Sequence, residues 1–351
     1  MIRVLVVEDS ATMRHHLKSA LAADPELVVV GEAVDGGAAV EMCGRLRPDV
    51  VTMDMMLPTM SGLAATEHIM ADFPTPILVV SSADRRELFS TYNALAAGAV
   101  DVLEKPRGDA SDVGWERRLC QAVRLVSRIR VITHPRARLS RLAPVAPARP
   151  EPVAAGELQV VALGASTGGP GALTELLRAL PAGFGTPILC VQHIAASEPF
   201  AVAFSDWLAD QTGRAVSYAR DRTPLGALAG RVILAPPDRH LFVLDGAVRV
   251  GDGPPRHSCR PSVDVLFDSV AAEFGPTAAG CLLTGMGRDG AEGLLRMRGR
   301  GAVTYAQDEA SSVVYGMPRE AALIGAASAQ LSPAKMAARL AELVTAGGVR
   351  R

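Results

Sequence analysis

The chain has 351 residues, a length that favours two domains, and 49% of them are hydrophobic, enough for two cores. Its 36 basic and 37 acidic residues nearly cancel, no long basic block lies within a folded stretch, and aromatic residues make up only 4%. That balance excludes an extended nucleic-acid-binding surface, which needs clustered positive charge and stacking rings.

No apolar run approaches the ~20 residues that cross a bilayer, so direct membrane insertion is not expected and any membrane association comes through a partner. The five cysteines (Cys43, Cys120, Cys190, Cys259, Cys281) are scattered singly, with no Cys-x-x-Cys pair. With no secretory signal opening the chain, they read as reduced, buried thiols of a cytoplasmic protein.

In chain order, short apolar strands are expected at Arg3–Val7, Leu27–Gly31, Val50–Met53, Ile77–Ser81 and Asp101–Leu103. Amphipathic helices are expected near Thr12–Ala22, Gly37–Leu46, Gly62–Ala71 and Arg85–Ala97, with a last one at Val113–Arg130. Five such units make a doubly wound parallel sheet, a first domain over residues 1–132. Over residues 133–157, Pro135, Pro144, Pro147, Pro150 and Pro152 interrupt a run of Ala and Arg. That composition predicts an extended, semi-rigid linker.

A second α/β domain is expected over 158–346. Its strands fall at Val160–Gly164, Ile188–Gln192, Ala215–Tyr218, Val232–Ala235, Leu241–Leu244, Cys281–Leu283 and Val303–Ala306. Its helices fall at Gly171–Leu180, Phe200–Gln211, Ser262–Phe274, Gly290–Arg298 and Pro318–Leu323, with a hairpin-like insertion around Val232–Val250.

Glu8 and Asp9 end the first expected strand, Asp54 the third, Ser81 the fourth and Lys105 the fifth. In a parallel sheet these ends share one edge, where ligands bind. Three crowded carboxylates raise one another's pKa unless a cation sits among them. A hard, oxygen-ligated ion, Mg2+ above all, suits that donor set and would let Asp54 attack a phosphoryl donor by offsetting charge on its oxygens. Lys105 adds a positive head for the phosphoryl group, and Ser81 a hydroxyl that can contact it. This set, with the run Met53-Asp54-Met55-Met56-Leu57-Pro58 and Lys105-Pro106, resembles a response-regulator receiver domain. The resemblance implies a flavodoxin-like five-stranded sheet, Asp54 as phosphoacceptor, Glu8, Asp9 and Asp54 around Mg2+, and Ser81 with Lys105 as the phosphoryl switch. Two positions depart from the pattern: Glu8 stands where aspartate is commoner, and Val102 where many receivers carry an aromatic switch residue.

The run Gly164-Ala165-Ser166-Thr167-Gly168-Gly169 joins an expected strand to an expected helix. Gly-x-Ser-x-Gly in that setting exposes a serine hydroxyl among neighbours stripped of bulk. The run lacks both the dinucleotide glycine spacing and the Gly-Lys-Ser/Thr of a phosphate loop. A serine nucleophile needs an adjacent base, and His193 ends the next strand. A carboxylate must orient that imidazole. Asp289, in the glycine-rich stretch Leu283–Gly290, is the best candidate, ahead of Asp264 and Asp308, whose neighbours fit helix capping and loop packing. Backbone N–H groups near Met286 are placed to hold an oxyanion. Arg260 with Pro261-Ser262 reads as a helix start, and His240 and His257 as surface or packing residues. The order Ser, His, Asp differs from α/β-hydrolases, where the acid precedes the histidine.

The second half resembles the catalytic domain of the bacterial chemotaxis protein-glutamate methylesterases. The matching motifs are Gly164-Ala165-Ser166-Thr167-Gly168-Gly169-Pro170, Val191-Gln192-His193, Arg260-Pro261-Ser262-Val263-Asp264, Leu283 to Gly290, and Ala306 to Pro318. The resemblance implies a doubly wound α/β methylesterase domain with Ser166 as nucleophile, His193 as base, Asp289 as acid, and Thr167 and Met286 beside the reacting carbonyl. It further implies a phosphorylation-activated, cofactor-free hydrolysis of glutamate γ-methyl esters, and deamidation of glutamines, on methyl-accepting chemoreceptors. A chemotaxis histidine kinase would be the phosphodonor. Two alternatives stay open: the same chemistry serving a non-flagellar chemosensory array, and a non-catalytic receiver–output switch.

Overall fold

Continuous apolar runs, rather than alternating ones, dictate the architecture, because a strand covered on both faces must be apolar on both. The computed structural model describes residues 1–82, 84–106, 114–129, 131, 158–193 and 198–348. The chain divides into two compact units, Met1–Leu142 and Ala143–Arg351. The expected linker at 133–157 lies outside the described residues. No described helix is long and apolar enough to cross a membrane.

The first unit runs β1 (Ile2–Val7), α1 (Ala11–Ala22), β2 (Leu27–Ala33), α2 (Gly36–Leu46), β3 (Val50–Met53), α3 (Gly62–Asp72), β4 (Ile77–Ser81), α4 (Arg85–Ala96), β5 (Asp101–Glu104), α5 (Trp115–Ser127). Its sheet is parallel in the order β2-β1-β3-β4-β5, and β1, β3 and β4 form its apolar centre. Each expected strand and helix is present. The ends expected for the last helix, Val113 and Arg130, lie outside the described residues. Ser10, Asp35 and Ser61 accept the N–H groups of Met13, Ala38 and Ala64 at 3.4, 2.9 and 3.3 Å. These caps fix where α1, α2 and α3 begin. The strand order reverses between β1 and β3, the point at which such sheets open a crevice.

The second unit runs β6 (Val160–Ala165), α6 (Gly169–Ala179), β7 (Ile188–Gln192), α7 (Glu198–Thr212), β8 (Val216–Tyr218), β9 (Thr223–Pro224), β10 (Val232–Leu234), β11 (His240–Leu244), β12 (Ala247–Gly251), α8 (Val263–Phe274), β13 (Ala278–Leu282), α9 (Ala291–Gly299), β14 (Val303–Gln307), α10 (Met317–Leu323), β15 (Ala329–Leu331), α11 (Pro333–Gly348). Seven strands form a parallel sheet in the order β15-β14-β13-β6-β7-β10-β8. Its core packs Val160, Ala162, Leu189 and Val191 with Leu266, Phe267, Leu294 and Met297 of the covering helices.

The insertion is smaller than expected. β10 belongs to the main sheet, paired with β7 and β8, and the separate antiparallel sheet holds β11, β12 and the two-residue β9. β15 and α11 extend the unit beyond the predicted elements. α11 carries a legible signal in Pro333 at its start and buried Met336, Ala337 and Leu340. β15, three incompletely buried residues, carries none.

Gly62 shows how tightly α3 meets the end of β3: a Cβ there would lie 1.9 Å from the Asp54 carbonyl oxygen. Gly62→Ala is therefore expected to cost about 1–3 kcal/mol, read as faster native-state hydrogen exchange across β1–β5 with the second unit unchanged.

Candidate functional sites

β1 and β3 are neighbours with Val7 opposite Met53, so the next residues, Glu8 and Asp54, leave the sheet side by side. The Asp54 N–H donates to the Val7 carbonyl at 3.0 Å. Carboxylate oxygens of Glu8, Asp9 and Asp54 all lie within 4.8 Å of one another. Glu8 and Asp54 are buried and Asp9 is exposed. Lys105 follows β5, with its N–H on the Ser81 carbonyl at 2.8 Å. Its Nζ lies 3.0 Å from Glu8 Oε2 and 2.9 Å from Asp54 Oδ1.

One ammonium group pairs with two buried carboxyl groups. Burial and then the charge of Asp54 push the Glu8 carboxyl up to about 7, against the pull of Lys105. Burial works to lower the Lys105 pKa, but Asp54 and Glu8 together raise it. Glu8 Oε2 is buried and, apart from that ion pair, has no hydrogen bond. An all-oxygen donor set that lacks positive charge fits a hard divalent cation such as Mg2+.

Ser81 is placed differently from its neighbours. Its buried Oγ hydrogen-bonds Thr91 Oγ1 of α4 at 2.7 Å, and the Thr91 hydroxyl in turn donates to the Glu87 carbonyl at 3.0 Å. The hydroxyl expected to meet a phosphoryl group is thus tied to α4. Val102, half-buried on β5, puts no ring at the usual aromatic position.

In the second unit, β6 and β7 pair with Ala165 opposite Gln192. Ser166 and His193 are the next residues, on strand ends about 5 Å apart. The His193 N–H donates to the Ala165 carbonyl at 2.9 Å, and the Ser166 N–H to the Thr284 carbonyl at 3.0 Å. The Ser166 carbonyl accepts the Gly169 N–H and Gln192 Nε2, both at 2.8 Å. A Cβ on Gly285 would come within 2.7 Å of the Ser166 Cβ, so only glycine lets that loop approach.

β13 flanks β6 on its other side, and the loop after it carries Asp289 to the start of α8. Asp289 Oδ1 accepts Ser262 Oγ at 2.7 Å and the Asp264 N–H at 3.1 Å, and Oδ2 accepts the Val263 N–H at 2.7 Å. Ser262, the N-cap of α8, makes no side-chain cap bond of its own; Asp289 supplies it from a distant loop. The positive end of α8 favours a charged carboxylate there. Burial alone would raise the Asp289 pKa, but His193, Ser262 and Val263 hold it below the ordinary carboxylate range.

His193 Nε2 lies 3.0 Å from Asp289 Oδ2. This is an ion-pair contact rather than an aligned hydrogen bond. Burial works to lower the His193 pKa, but Asp289 and Cys259 outweigh it and bring the ring up to about 9. Cys259 was grouped by the sequence with the buried thiols. It is half-buried, and its sulfur lies within 4.8 Å of the ligand atoms of both His193 and Asp289.

The rival acids have other work. Asp264 is buried, accepts the Gly293 N–H at 2.5 Å and faces His257 Nε2 at 3.1 Å. Asp308 caps the turn at Glu309–Ser311. His240 is buried, and its Nδ1 accepts the Ser262 N–H at 3.2 Å. Arg260 pairs with Asp238 at 2.8 Å, and Pro261-Ser262 leads into α8. The Thr167 carbonyl accepts Thr284 Oγ1 at 2.9 Å. Met286 is half-exposed, beside Gly285, whose carbonyl accepts two N–H groups. The loop after His193, residues 194–197, lies outside the described residues. Sequence reading missed the supporting roles of Ser262 and His240; the motif Arg260 to Asp264 was the available signal.

Asp289→Asn removes the charge that faces the ring. The His193 pKa, read by NMR titration of the imidazole, is expected to fall from about 9 toward 6.5. A raised imidazole pKa adds stability that is complete below about pH 6.5 and lost as pH climbs through 9. The variant is therefore expected to lose the decline in unfolding free energy over that window that the parent chain shows.

A family model described as CheB methylesterase matches residues 161–340, and one described as response regulator receiver domain matches residues 4–112. Protein-glutamate methylesterase/protein-glutamine glutaminase 2 of Anaeromyxobacter dehalogenans is 44% identical over 343 residues, 97% of each chain. The protein numbered 3 in the same organism is 46% identical over 345 residues, 97% of this chain and 98% of its own. The crystal structure of the Thermotoga maritima CheB methylesterase catalytic domain matches with a TM-score of 0.50 and 32% identity, covering 53% of this chain and 98% of that one.

Proposed function

The chain belongs to the CheB methylesterase family and carries a response regulator receiver domain, and from that premise we propose that Ser166, His193 and Asp289 hydrolyse glutamate γ-methyl esters under control of the receiver. The observation that supports the reading is placement: Ser166 and His193 directly follow the paired strands β6 and β7, and the Asp289 carboxylate lies 3.0 Å from His193 Nε2.

In the neutral ring, which forms as pH rises toward 9, the Asp289 charge 3.0 Å from Nε2 favours the proton there, which leaves Nδ1 to take the proton of Ser166 Oγ. The alkoxide attacks the ester carbonyl, and the tetrahedral oxyanion is held by backbone N–H groups at Thr167 and Met286. Among the described residues the Met286 N–H donates to nothing else. Methanol leaves with the proton from Nδ1. Water, deprotonated by the same nitrogen, then releases the glutamate carboxylate and restores Ser166. A glutamine side chain follows the same path with ammonia as the leaving group. Throughout, Asp289 stays ionised at the α8 N-terminus and offsets the imidazolium charge.

In the receiver, Asp54 is the phosphoacceptor, and Glu8, Asp9 and Asp54 would hold Mg2+. When bound, the ion would offset charge on the phosphoryl oxygens. Lys105, already 2.9 Å from Asp54 Oδ1, pairs with the transferred group, and Ser81 must leave Thr91 to reach it. The substrates are methyl-accepting chemoreceptors, the phosphodonor is a chemotaxis histidine kinase, and the setting is the cytoplasm.

Two measurements test this. Ser166→Ala should abolish methanol release from methylated receptor membranes; full activity in that variant would defeat the reading. A small-molecule phosphodonor with Mg2+ should accelerate methanol release by the parent chain. Chelation of Mg2+ or Asp54→Asn should remove the acceleration and leave basal release intact.

A further inference from the structure

Cys259 has no part in the mechanism above, yet its thiol stands against the catalytic pair. Three different donors converge there: His193 nitrogen, Cys259 sulfur and an Asp289 oxygen, all within 4.8 Å of one another. We propose that these three residues form a binding site for a borderline-soft divalent cation, Zn2+ in the first place, and that the enzyme is inactive while the ion is bound.

The donor set decides the class of ion. Nitrogen, sulfur and carboxylate oxygen together suit Zn2+ at bond lengths of about 2.0–2.3 Å, which place tetrahedral ligand atoms about 3.5 Å apart. His193 Nε2 and Asp289 Oδ2 are already 3.0 Å apart, so closing the site takes side-chain shifts of about an ångström. The buried His193 Nε2 already faces another member of the site, Asp289 at 3.0 Å, and the Cys259 thiol makes only a 3.5 Å contact to the His257 carbonyl. A carboxylate offers about four lone-pair sites. Asp289 uses three on Ser262, Val263 and Asp264, which leaves one on the side of His193. Both Cys259 and His193 are partly exposed, so an ion can enter and keep a water as its fourth ligand.

Other clusters in the chain differ in kind. Glu8, Asp9 and Asp54 are all oxygen donors. His257, Asp264 and Glu292 also lie within reach of one another, but Arg256 already neutralises them, 3.8 Å from Asp264 Oδ2 and 3.4 Å from Glu292 Oε2.

Binding releases the Cys259 thiol proton to solvent; the single proton of a neutral His193 ring moves from Nε2 to Nδ1, and an imidazolium releases its Nε2 proton as well. Thiolate and carboxylate then offset both charges of the ion. Coordination through Nε2 leaves the remaining ring proton on Nδ1, so the ring cannot accept the Ser166 proton. This inhibitory consequence rests on the proposed mechanism; the binding does not.

Co2+ is the spectroscopic probe, added to the full chain in excess Mg2+ so that the oxygen site is filled. The expected result is a thiolate-to-cobalt charge-transfer band that Zn2+ displaces. The band should be absent in Cys259→Ala and Cys259→Ser, with folding of both checked by circular dichroism. Micromolar Zn2+ should lower methanol release by the parent chain at least about tenfold, reversibly on chelation. Each variant, compared with its own metal-free rate, should need at least about tenfold more Zn2+ for the same loss. No charge-transfer band in the parent chain, or a band that survives both substitutions, overturns the site. A band without inhibition overturns the inhibitory claim. Methanol release by Ser166→Ala would defeat the catalytic reading alone, since that substitution leaves the cobalt spectrum in place.

Discussion

A buried carboxylate persists in its charged form only where donors and opposite charge surround it. Asp289 meets that condition by closing the N-terminus of α8, with Ser262, Val263 and Asp264 all donating to it. The same contacts fix α8 over β6, where Val263 packs so closely that Gly164 has no room for a side chain. They also leave one lone-pair direction of the carboxylate for His193. Helix placement, strand packing and imidazole orientation therefore hang on one acid, and the serine loop is built around the result.

The receiver faces the same electrostatic problem and answers it otherwise. Glu8 and Asp54 are buried with fewer backbone donors: Glu8 Oε1 accepts the N–H of Ser10, the N-cap of α1, at 3.2 Å, and Asp54 Oδ1 the Met56 N–H at 3.4 Å. Among the described residues Lys105 is the cation paired with them, and burial with the charge of Asp54 still pushes the Glu8 carboxyl up to about 7. The first arrangement is stable as it stands and suits a fixed catalytic group. The second is short of charge and suits a site that gains an ion and a phosphoryl group. Ser81 adds a mechanical element, because its hydroxyl is shared with Thr91 of α4. Under the proposed function, movement of Ser81 toward Asp54 would break that bond and so connect Asp54 to α4 without an aromatic residue at Val102.

Much of this was legible. Apolar runs such as Val160–Leu163 and Ile77–Val80 can only be strands buried on both faces. A motif residue directly after such a run must sit at the carboxyl edge of the sheet, which is how Glu8, Asp54, Ser166 and His193 could be placed. Other features were not legible, for physical reasons. β10 looked like part of a hairpin because its short apolar run carries no mark of its pairing partners. Cys259 looked like an ordinary thiol because its neighbours in space, His193 and Asp289, come from other loops. The tie of the Ser81 hydroxyl to Thr91 was not legible because nothing local to Ser81 announces it.

The sequence by itself determined the two α/β units, the strand ends and the residue types that stand on them, since burial pattern and turn chemistry are local and periodic. The tertiary structure alone decided which ring nitrogen faces Asp289, what holds that carboxylate and what else shares the space. Those choices depend on strand order and on a helix end brought in from a distant part of the chain, and neither leaves a periodic trace in the residues themselves.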